Sequence, residues 1–151
     1  MMTSSALDQR SFLPRPLIGV GAVVWHQGHV LLIQRGKEPN IGSWSLPGGA
    51  QELGETVREA VCREVLEETG VTISSPILVD VVDLISSTVN HKVEYHYTLI
   101  DFVAEALTLE ITPGGDAADA KWVNVKDINK YALWTKTVKV IAKSRDVLSG
   151  C

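Results

Sequence analysis

The feature that most constrains this chain is a short helical segment that ends in a cluster of acids. The segment is CREVLEETG at residues 62–70. It places three glutamates within five positions: Glu64, Glu67 and Glu68. The preceding TVRE at residues 56–59 has the pattern of a capping box, and Gly70 suits the left-handed position after a last helical turn. These signals together predict a helix from about residue 57 to residue 69.

The apolar residues of this predicted helix form a stripe that should face the core. They are Val57, Ala60, Val61 and Val65, which share one face at about 100° per residue. The stripe should continue through positions 64 and 68, but both are glutamate. The i, i+3 and i+4 spacing places the three carboxylates on adjoining positions, within about 6 Å along the helix axis. The acids therefore occupy positions where apolar side chains are expected.

Crowded carboxylates at a helix end carry three energetic penalties. Like charges at these spacings repel by a few tenths of a kcal/mol per pair, and negative charge at a helix C-terminus opposes the macrodipole by about 0.3–1 kcal/mol. Charge on an inner face also loses hydration. A solvated acidic helix end is the simpler alternative, but the helical phase of the acids disfavours it. A divalent cation would remove all three penalties, since carboxylates are hard oxygen ligands that suit Mg²⁺.

The rest of the chain predicts a mixed sheet with one central and one terminal helix, an α+β or α/β sandwich arrangement. Apolar or alternating runs predict strands at 17–25, 29–35, 71–85 with a break near Pro76, and 92–107, and a short strand that follows the loop within 112–125. A terminal helix over 135–149 is predicted from the spacing of Val138, Ile141, Ala142 and Val147. Residues 1–16 are expected to be a flexible leader and residues 17–151 a single domain.

Residues 49–71 match a known pattern at every fixed position. Gly49 is followed after five residues by Glu55, and after seven more by REVLEETGV. This resembles the Nudix box, G-x5-E-x7-R-E-U-x-E-E-x-G-U with U aliphatic. The chance of such a match from average residue usage is well under about one in a million. The order of the strand pair, the loop, WSLPGG, the box and the later strands extends the resemblance over nearly the whole chain.

The resemblance to the Nudix hydrolase superfamily implies an α/β/α sandwich with a mixed central sheet. It also implies hydrolysis of a nucleoside diphosphate linked to another moiety, with Mg²⁺ as the metal and Mn²⁺ as a substitute. Carried over to this chain, the catalytic acids are Glu64, Glu67 and Glu68, and the metal ligands are these three together with the carbonyl of Gly49. Glu55 and Arg63 would mainly brace the loop and the helix.

Three further residues are candidates for substrate binding: Arg35, Gly48 and Trp44. Arg35 resembles an arginine that meets substrate phosphate in relatives, although it could equally lie on the surface. Gly48 would let the backbone approach phosphate closely. Trp44 could stack on a base or belong to the scaffold. The general base stays open between two box acids and two aspartates of a later loop: Glu64, Glu67, Asp116 and Asp119.

The resemblance implies a general substrate class and leaves several particular substrates open. WSLPGG and the later YHYTLIDFVAE resemble the ADP-ribose pyrophosphatase-like branch, which converts ADP-ribose to AMP and ribose 5-phosphate. One alternative is a pyrophosphohydrolase of nucleoside triphosphates or oxidised nucleotides. Another is a non-catalytic Nudix domain that senses nucleotides, which the intact set of box acids argues against.

Charge and composition limit the partners. Residues 52–68 contain six Glu and two Arg, which accounts for the whole net charge of −4. No basic stripe is left for nucleic acid, and no apolar run reaches the roughly 18–20 residues of a membrane span. Cys62 and the terminal Cys151 make a structural disulfide unexpected, which favours the reducing cytoplasm. A homodimer is an expectation from relatives, with the strand at 92–107 as a candidate edge.

Overall fold

The computed structural model describes residues 10–150. Residues 1–9 of the expected leader, and Cys151, lie outside the described residues. Residues 10–16 precede the first strand, and the N–H of Phe12 donates a hydrogen bond of 2.7 Å to the carbonyl of Glu94.

The described chain contains seven strands, two α-helices and one 3₁₀ helix. In order they are β1 (Leu17–His26), β2 (His29–Arg35), β3 (Trp44–Ser45), β4 (Gly48–Ala50), α1 (Val57–Thr69), β5 (Ile77–Ser87), β6 (Val93–Glu105), β7 (Ala117–Asn124), the 3₁₀ helix (Val125–Tyr131) and α2 (Thr135–Ser149). The predicted bounds of α1 are confirmed, because both capping signals form. The hydroxyl of Thr56 accepts from the N–H of Glu59 at 3.1 Å, and Gly70 ends the helix with φ of 76°.

The strands form one mixed sheet in the order β3-β2-β1-β6-β5, with β4 paired to β1 and β7 paired to β2. β1 and β6 are parallel, and the other pairs are antiparallel. The expectation that the strand at 92–107 forms an edge is wrong, because β6 lies between β1 and β5. Among the described strands β5 pairs only with β6 and so ends the sheet on that side. The homodimer stays a prediction.

Each face of the sheet is covered by one helix. On one face, Ala60, Val61 and Val65 of α1 pack against β1 and β2. On the other, Val140 and Ile141 of α2 pack against alternate residues of the same strands. Because both faces are buried, β1 is apolar almost throughout. The α+β class and the mixed sheet with a helical layer on each face are confirmed.

The buried stripe of α2 differs from the predicted one. Val138 and Ala142 are exposed, whereas Val140, Ile141 and Ser144 are buried. Ser144 was not expected in the core, but its hydroxyl accepts a hydrogen bond from the Nε1 of Trp25 at 3.0 Å. Within residues 10–150, neither α-helix has the length and apolar character that a bilayer crossing requires.

Candidate active site

Glu68 is the most deeply buried acid of α1, with 4% of its surface exposed. Its Oε1 accepts a hydrogen bond of 2.8 Å from the backbone N–H of Gly48. Burial raises the pKa of Glu68 to about 8, and the negative charges of Glu64 and Asp116 add to the rise. The Gly48 N–H and the positive charge of Arg35 oppose it. This one hydrogen bond therefore offsets only part of the hydration that the Glu68 carboxylate loses at a position where the apolar stripe of the helix continues.

Glu64 lies against the backbone of β4. A Cβ built on Gly49 would lie 2.5 Å from the Glu64 carboxyl carbon, so the absence of a side chain at Gly49 is what lets the carboxylate take this position. Burial raises the pKa of Glu64, and a hydrogen bond from Arg63 opposes the rise. Glu67, by contrast, has a side chain that is 52% exposed. The structure thus brings two of the predicted acids and both glycines together, with the third acid at the solvent edge.

Arg63 holds this arrangement in place. Its Nε and Nη2 bind the two carboxylate oxygens of Glu55, each at 2.8 Å, and Nη2 also donates to the carbonyl of Ala50 at 3.1 Å. Its Nη1 reaches Oε1 of Glu64 at 2.9 Å and Oε1 of Glu67 at 3.1 Å. The hydrogen bond from Arg63 lowers the pKa of Glu55 to about 2. The expected bracing role of Glu55 and Arg63 agrees with this network, which ties the loop after β4 to α1.

The donor set fits a hard divalent cation in its chemistry. Two desolvated carboxylates, a third that is half exposed, and a glycine carbonyl are oxygen groups of the kind that such ions prefer. Among residues 10–150, however, no three His, Cys, Asp or Glu side chains already stand close enough to hold a metal ion. The physical reason is visible in the contacts, since Arg63 engages Glu64 and Glu67 while the Gly48 N–H engages Glu68.

The three substrate-binding candidates lie in different places. Arg35 donates from Nε to the carbonyl of Pro39 at 2.8 Å, and its charge acts on Glu68. Gly48 lies at the acidic cluster. Trp44 lies in β3, packs against the ring of Tyr131 with ring centroids 5.3 Å apart, and belongs to the core on the α2 face. Trp44 is therefore not brought together with the acids, and its role in substrate binding stays a prediction.

Asp116 and Asp119, both expected in one loop, lie in different places, because Asp116 is in the turn before β7 and Asp119 is within β7. Asp116 raises the pKa of both Glu64 and Glu68 through its charge, and its carboxylate lies 2.9 Å from the Nζ of Lys37. Asp119 accepts a hydrogen bond from the N–H of Ala120 and lies opposite Gln34 in the sheet, away from α1. Lys37 could not be singled out from the sequence, because one lysine in a polar loop belongs to no recognisable pattern.

The mixed sheet, the helix with its acids and the glycines of β4 define a Nudix-type site. A family model described as the NUDIX domain matches residues 15–143, and the chain belongs to that family of hydrolases. An ADP-ribose pyrophosphatase of Methanocaldococcus jannaschii is 33% identical over 117 residues, which cover 78% of this chain and 67% of the relative.

Solved structures agree with this assignment. A MutT NUDIX hydrolase from Burkholderia pseudomallei is 30% identical, with a TM-score of 0.73 over 85% of this chain and 98% of that one. A bifunctional NMN adenylyltransferase/ADP ribose pyrophosphatase from Francisella tularensis, complexed with AMP and a manganese ion, is 26% identical. Its TM-score is 0.62 over 85% of this chain and 40% of that one. The chain spans between 33% and 67% of the length of three curated relatives that match most of it.

Proposed function

We propose that this chain hydrolyses the pyrophosphate bond of a nucleoside diphosphate linked to another moiety, and that ADP-ribose is the substrate, giving AMP and ribose 5-phosphate. The observation that carries the proposal is the desolvated pair Glu64 and Glu68 against the glycines of β4. Isolated charges in such a place are costly unless a cation offsets them. The archaeal ADP-ribose pyrophosphatase, related over most of the chain, supports the choice of substrate.

We assign the residues as follows. Mg²⁺, or Mn²⁺ in its place, would be held by oxygen atoms of Glu64, Glu67, Glu68 and the Gly49 carbonyl. The bound ion would neutralise diphosphate charge and lower the pKa of the attacking water. Arg35 and the backbone at Gly48 would orient the phosphate groups, because a guanidinium donates in a planar geometry that matches phosphate oxygens. Trp44 would contribute to substrate binding from the other face of the sheet.

We propose that the proton of the attacking water is accepted by one of three carboxylates near the acidic cluster: Glu64, Glu67 or Asp116. Asp116 lies 2.9 Å from the Nζ of Lys37, and its charge acts on both Glu64 and Glu68. Amide variants of the three, compared by their pH profiles of kcat, would separate the base from the residues that only bind. Loss of the acidic limb in one variant alone identifies the base.

The experiment that tests the function is a substrate panel assayed with Mg²⁺ and with EDTA. It includes ADP-ribose, other nucleoside diphosphate derivatives and oxidised nucleoside triphosphates. We expect the protein to cleave the pyrophosphate bond of ADP-ribose with Mg²⁺ and not with EDTA. In Glu68→Gln, turnover should fall by orders of magnitude. Glu110→Gln, at an exposed glutamate outside the box, is the control that should keep wild-type turnover.

Two other outcomes of the substrate panel would change the proposed function. A stronger reaction with oxidised nucleotides would move the chain to that substrate class. Nucleotide binding without turnover of any compound would favour the sensing alternative.

We further propose that residues 17–151 act as one domain in the cytoplasm, on a small-molecule substrate and without nucleic acid. The free thiol of Cys62 and the local excess of acidic charge support this.

A further inference from the structure

Asp101 is a buried acid outside the Nudix box. It lies in β6, next to the middle of the sheet, and only 8% of its surface is exposed. Burial raises the pKa of this carboxyl to about 6, and the charge of Asp80 adds to the rise. The nearby cation, Lys143, lies 3.6 Å from the Asp80 carboxylate. Among residues 10–150 no hydrogen bond reaches the Asp101 side chain, so this carboxylate is uncompensated in the free protein.

The glycines of β1 allow the Asp101 carboxylate to lean across the strand. Asp101 pairs with Gly21, and a Cβ built on Gly21 would lie 2.8 Å from Oδ1 of Asp101 and 3.6 Å from the carbonyl of Pro47. Gly21 pairs in turn with Gly48, whose N–H binds Glu68. Because side chains alternate along β6, Asp101 shares the α2 face with Val103. Asp101 and the acidic cluster therefore flank the β1–β4 pair from opposite faces.

The space beside Asp101 is open to solvent. No fully buried side-chain oxygen or nitrogen in the described range lacks a hydrogen-bond partner, so the unbonded oxygens of Asp101 must still reach solvent. Gly19 and Gly21 lie on the same face of β1, since residues i and i+2 point the same way. The Asp101 carboxylate itself fills the space over Gly21, and the Leu99 side chain fills the space over Gly19, where a built Cβ would lie 2.8 Å from Leu99 Cδ2. A ligand would therefore meet the carboxylate at the oxygens that reach solvent.

We propose that Asp101 is a specificity-determining residue that accepts hydrogen bonds from N–H or O–H groups of the nucleoside part of the substrate. The inference rests on the proposed function, with the diphosphate at the acidic cluster on the other side of the β1–β4 pair. An unpaired carboxylate has only acceptors and needs donors. A nucleoside supplies them as an amino group, a ring N–H or ribose hydroxyls. A divalent cation fits less well: within residues 10–150 the acid whose charge acts on Asp101 is Asp80, and its carboxylate already lies 3.6 Å from the Nζ of Lys143.

The test compares Asp101→Asn and Asp101→Ala with Asp83→Asn, an exposed aspartate of the neighbouring strand. We expect both Asp101 variants to weaken nucleoside monophosphate binding in EDTA, and to raise KM, by about 10- to 100-fold, the range for hydrogen bonds to a charged group. Turnover at saturation should change little. The melting temperature of the free protein should stay the same or rise, because an uncompensated buried charge is removed. Asp83→Asn should leave all of these quantities unchanged.

Nucleotide analogues distinguish whether Asp101 accepts hydrogen bonds from the base or from the ribose. The probes are AMP, GMP, purine ribonucleoside 5′-monophosphate, which lacks the amino group, and 2′-deoxy-AMP. If Asp101 contacts the base, its replacement should remove the preference for AMP or GMP over the amino-free analogue. If it contacts the ribose, replacement should remove the preference for AMP over 2′-deoxy-AMP.

Other results overturn the proposal or separate it from the proposed function. A lower melting temperature with unchanged nucleotide affinity in both Asp101 variants would show a structural role and overturn it. If the wild-type protein hydrolyses nothing but loses nucleotide binding on replacement of Asp101, the proposed hydrolysis fails while this inference stands.

Discussion

Replacing Glu68 with glutamine should change how the stability of the metal-free protein depends on pH. In the folded protein the pKa of Glu68 is raised from 4.5 to about 8, mainly by burial. Between these two values the unfolded chain has lost the proton while the folded chain keeps it. The free energy of unfolding therefore falls as pH rises through this window, by up to about 1.4 kcal/mol per pH unit for one proton.

The size of the effect follows from the width of the window. The difference between 8 and 4.5 sets an upper limit of about 5 kcal/mol, and a realistic value is about 2–4 kcal/mol. Glutamine has no proton to release, and its side-chain carbonyl can still accept from the Gly48 N–H. The stability of Glu68→Gln relative to wild type should thus increase by about 2–4 kcal/mol from pH 5 to pH 8. For a chain of this size that corresponds to roughly 5–15 °C in melting temperature.

The assay is thermal or urea unfolding in EDTA at several pH values, repeated with Mg²⁺. Glu64 and Asp101 also have raised pKa values, so only the difference between wild type and variant isolates Glu68. Glu67→Gln is the matched control on the same helix, since its half-exposed side chain removes no buried charge. Mg²⁺ should stabilise wild type more than Glu68→Gln. Parallel pH curves for wild type and Glu68→Gln in EDTA would refute the reasoning.

Three further perturbations follow from the same contacts. Arg63→Ala should lower the free energy of unfolding by about 2–3 kcal/mol, because several charged hydrogen bonds including those to Glu55 are lost; an unchanged urea midpoint would contradict this. Gly49→Ala should displace the Glu64 carboxylate and reduce Mg²⁺-dependent turnover at least about tenfold, with little change in melting temperature because a flexible side chain can move; wild-type kinetics would argue against a role for this contact. Thr56→Ala should remove the N-cap of α1 and cost about 1 kcal/mol, measured by urea unfolding, with kcat unchanged; equal stability would show that the cap contributes nothing here.

Local chemistry explains which parts of the fold were predictable. The bounds of α1 depend on Thr56, Glu59 and Gly70, all within or next to the helix itself. The strands β1 and β2 are short apolar runs joined by a tight turn, so their pattern is also local. The 3₁₀ helix at Val125–Tyr131 was not predicted, because it is only seven residues long. Its apolar residues Val125, Ile128 and Tyr131 recur every three positions and pack against the core, but two turns are too short a pattern to stand out in the sequence.

Long-range pairing explains the rest. β6 was expected at an edge, but it joins β1 in parallel register across about eighty residues of sequence, from Leu17↔Tyr97 to Trp25↔Glu105. With β1 on one side and β5 on the other, β6 lies inside the sheet. Asp101, which looks like an ordinary polar residue in a strand, is buried there. Trp44 was predicted either to stack on a substrate base or to belong to the scaffold, and the sequence could not place its ring relative to the acids. Strand alternation places its ring on the opposite face of the sheet instead.

The sequence by itself determined the acidic helix, its caps and the identity of its carboxylates, because each depends on residues within one or two helical turns. Only the tertiary structure decided which acids lose their water, which of Asp116 and Asp119 stands beside them, and that Asp101 is buried without a partner. Burial and electrostatic environment are produced by segments that are distant in sequence. Spacing along the chain can therefore indicate which groups are available, but not which of them the fold removes from solvent.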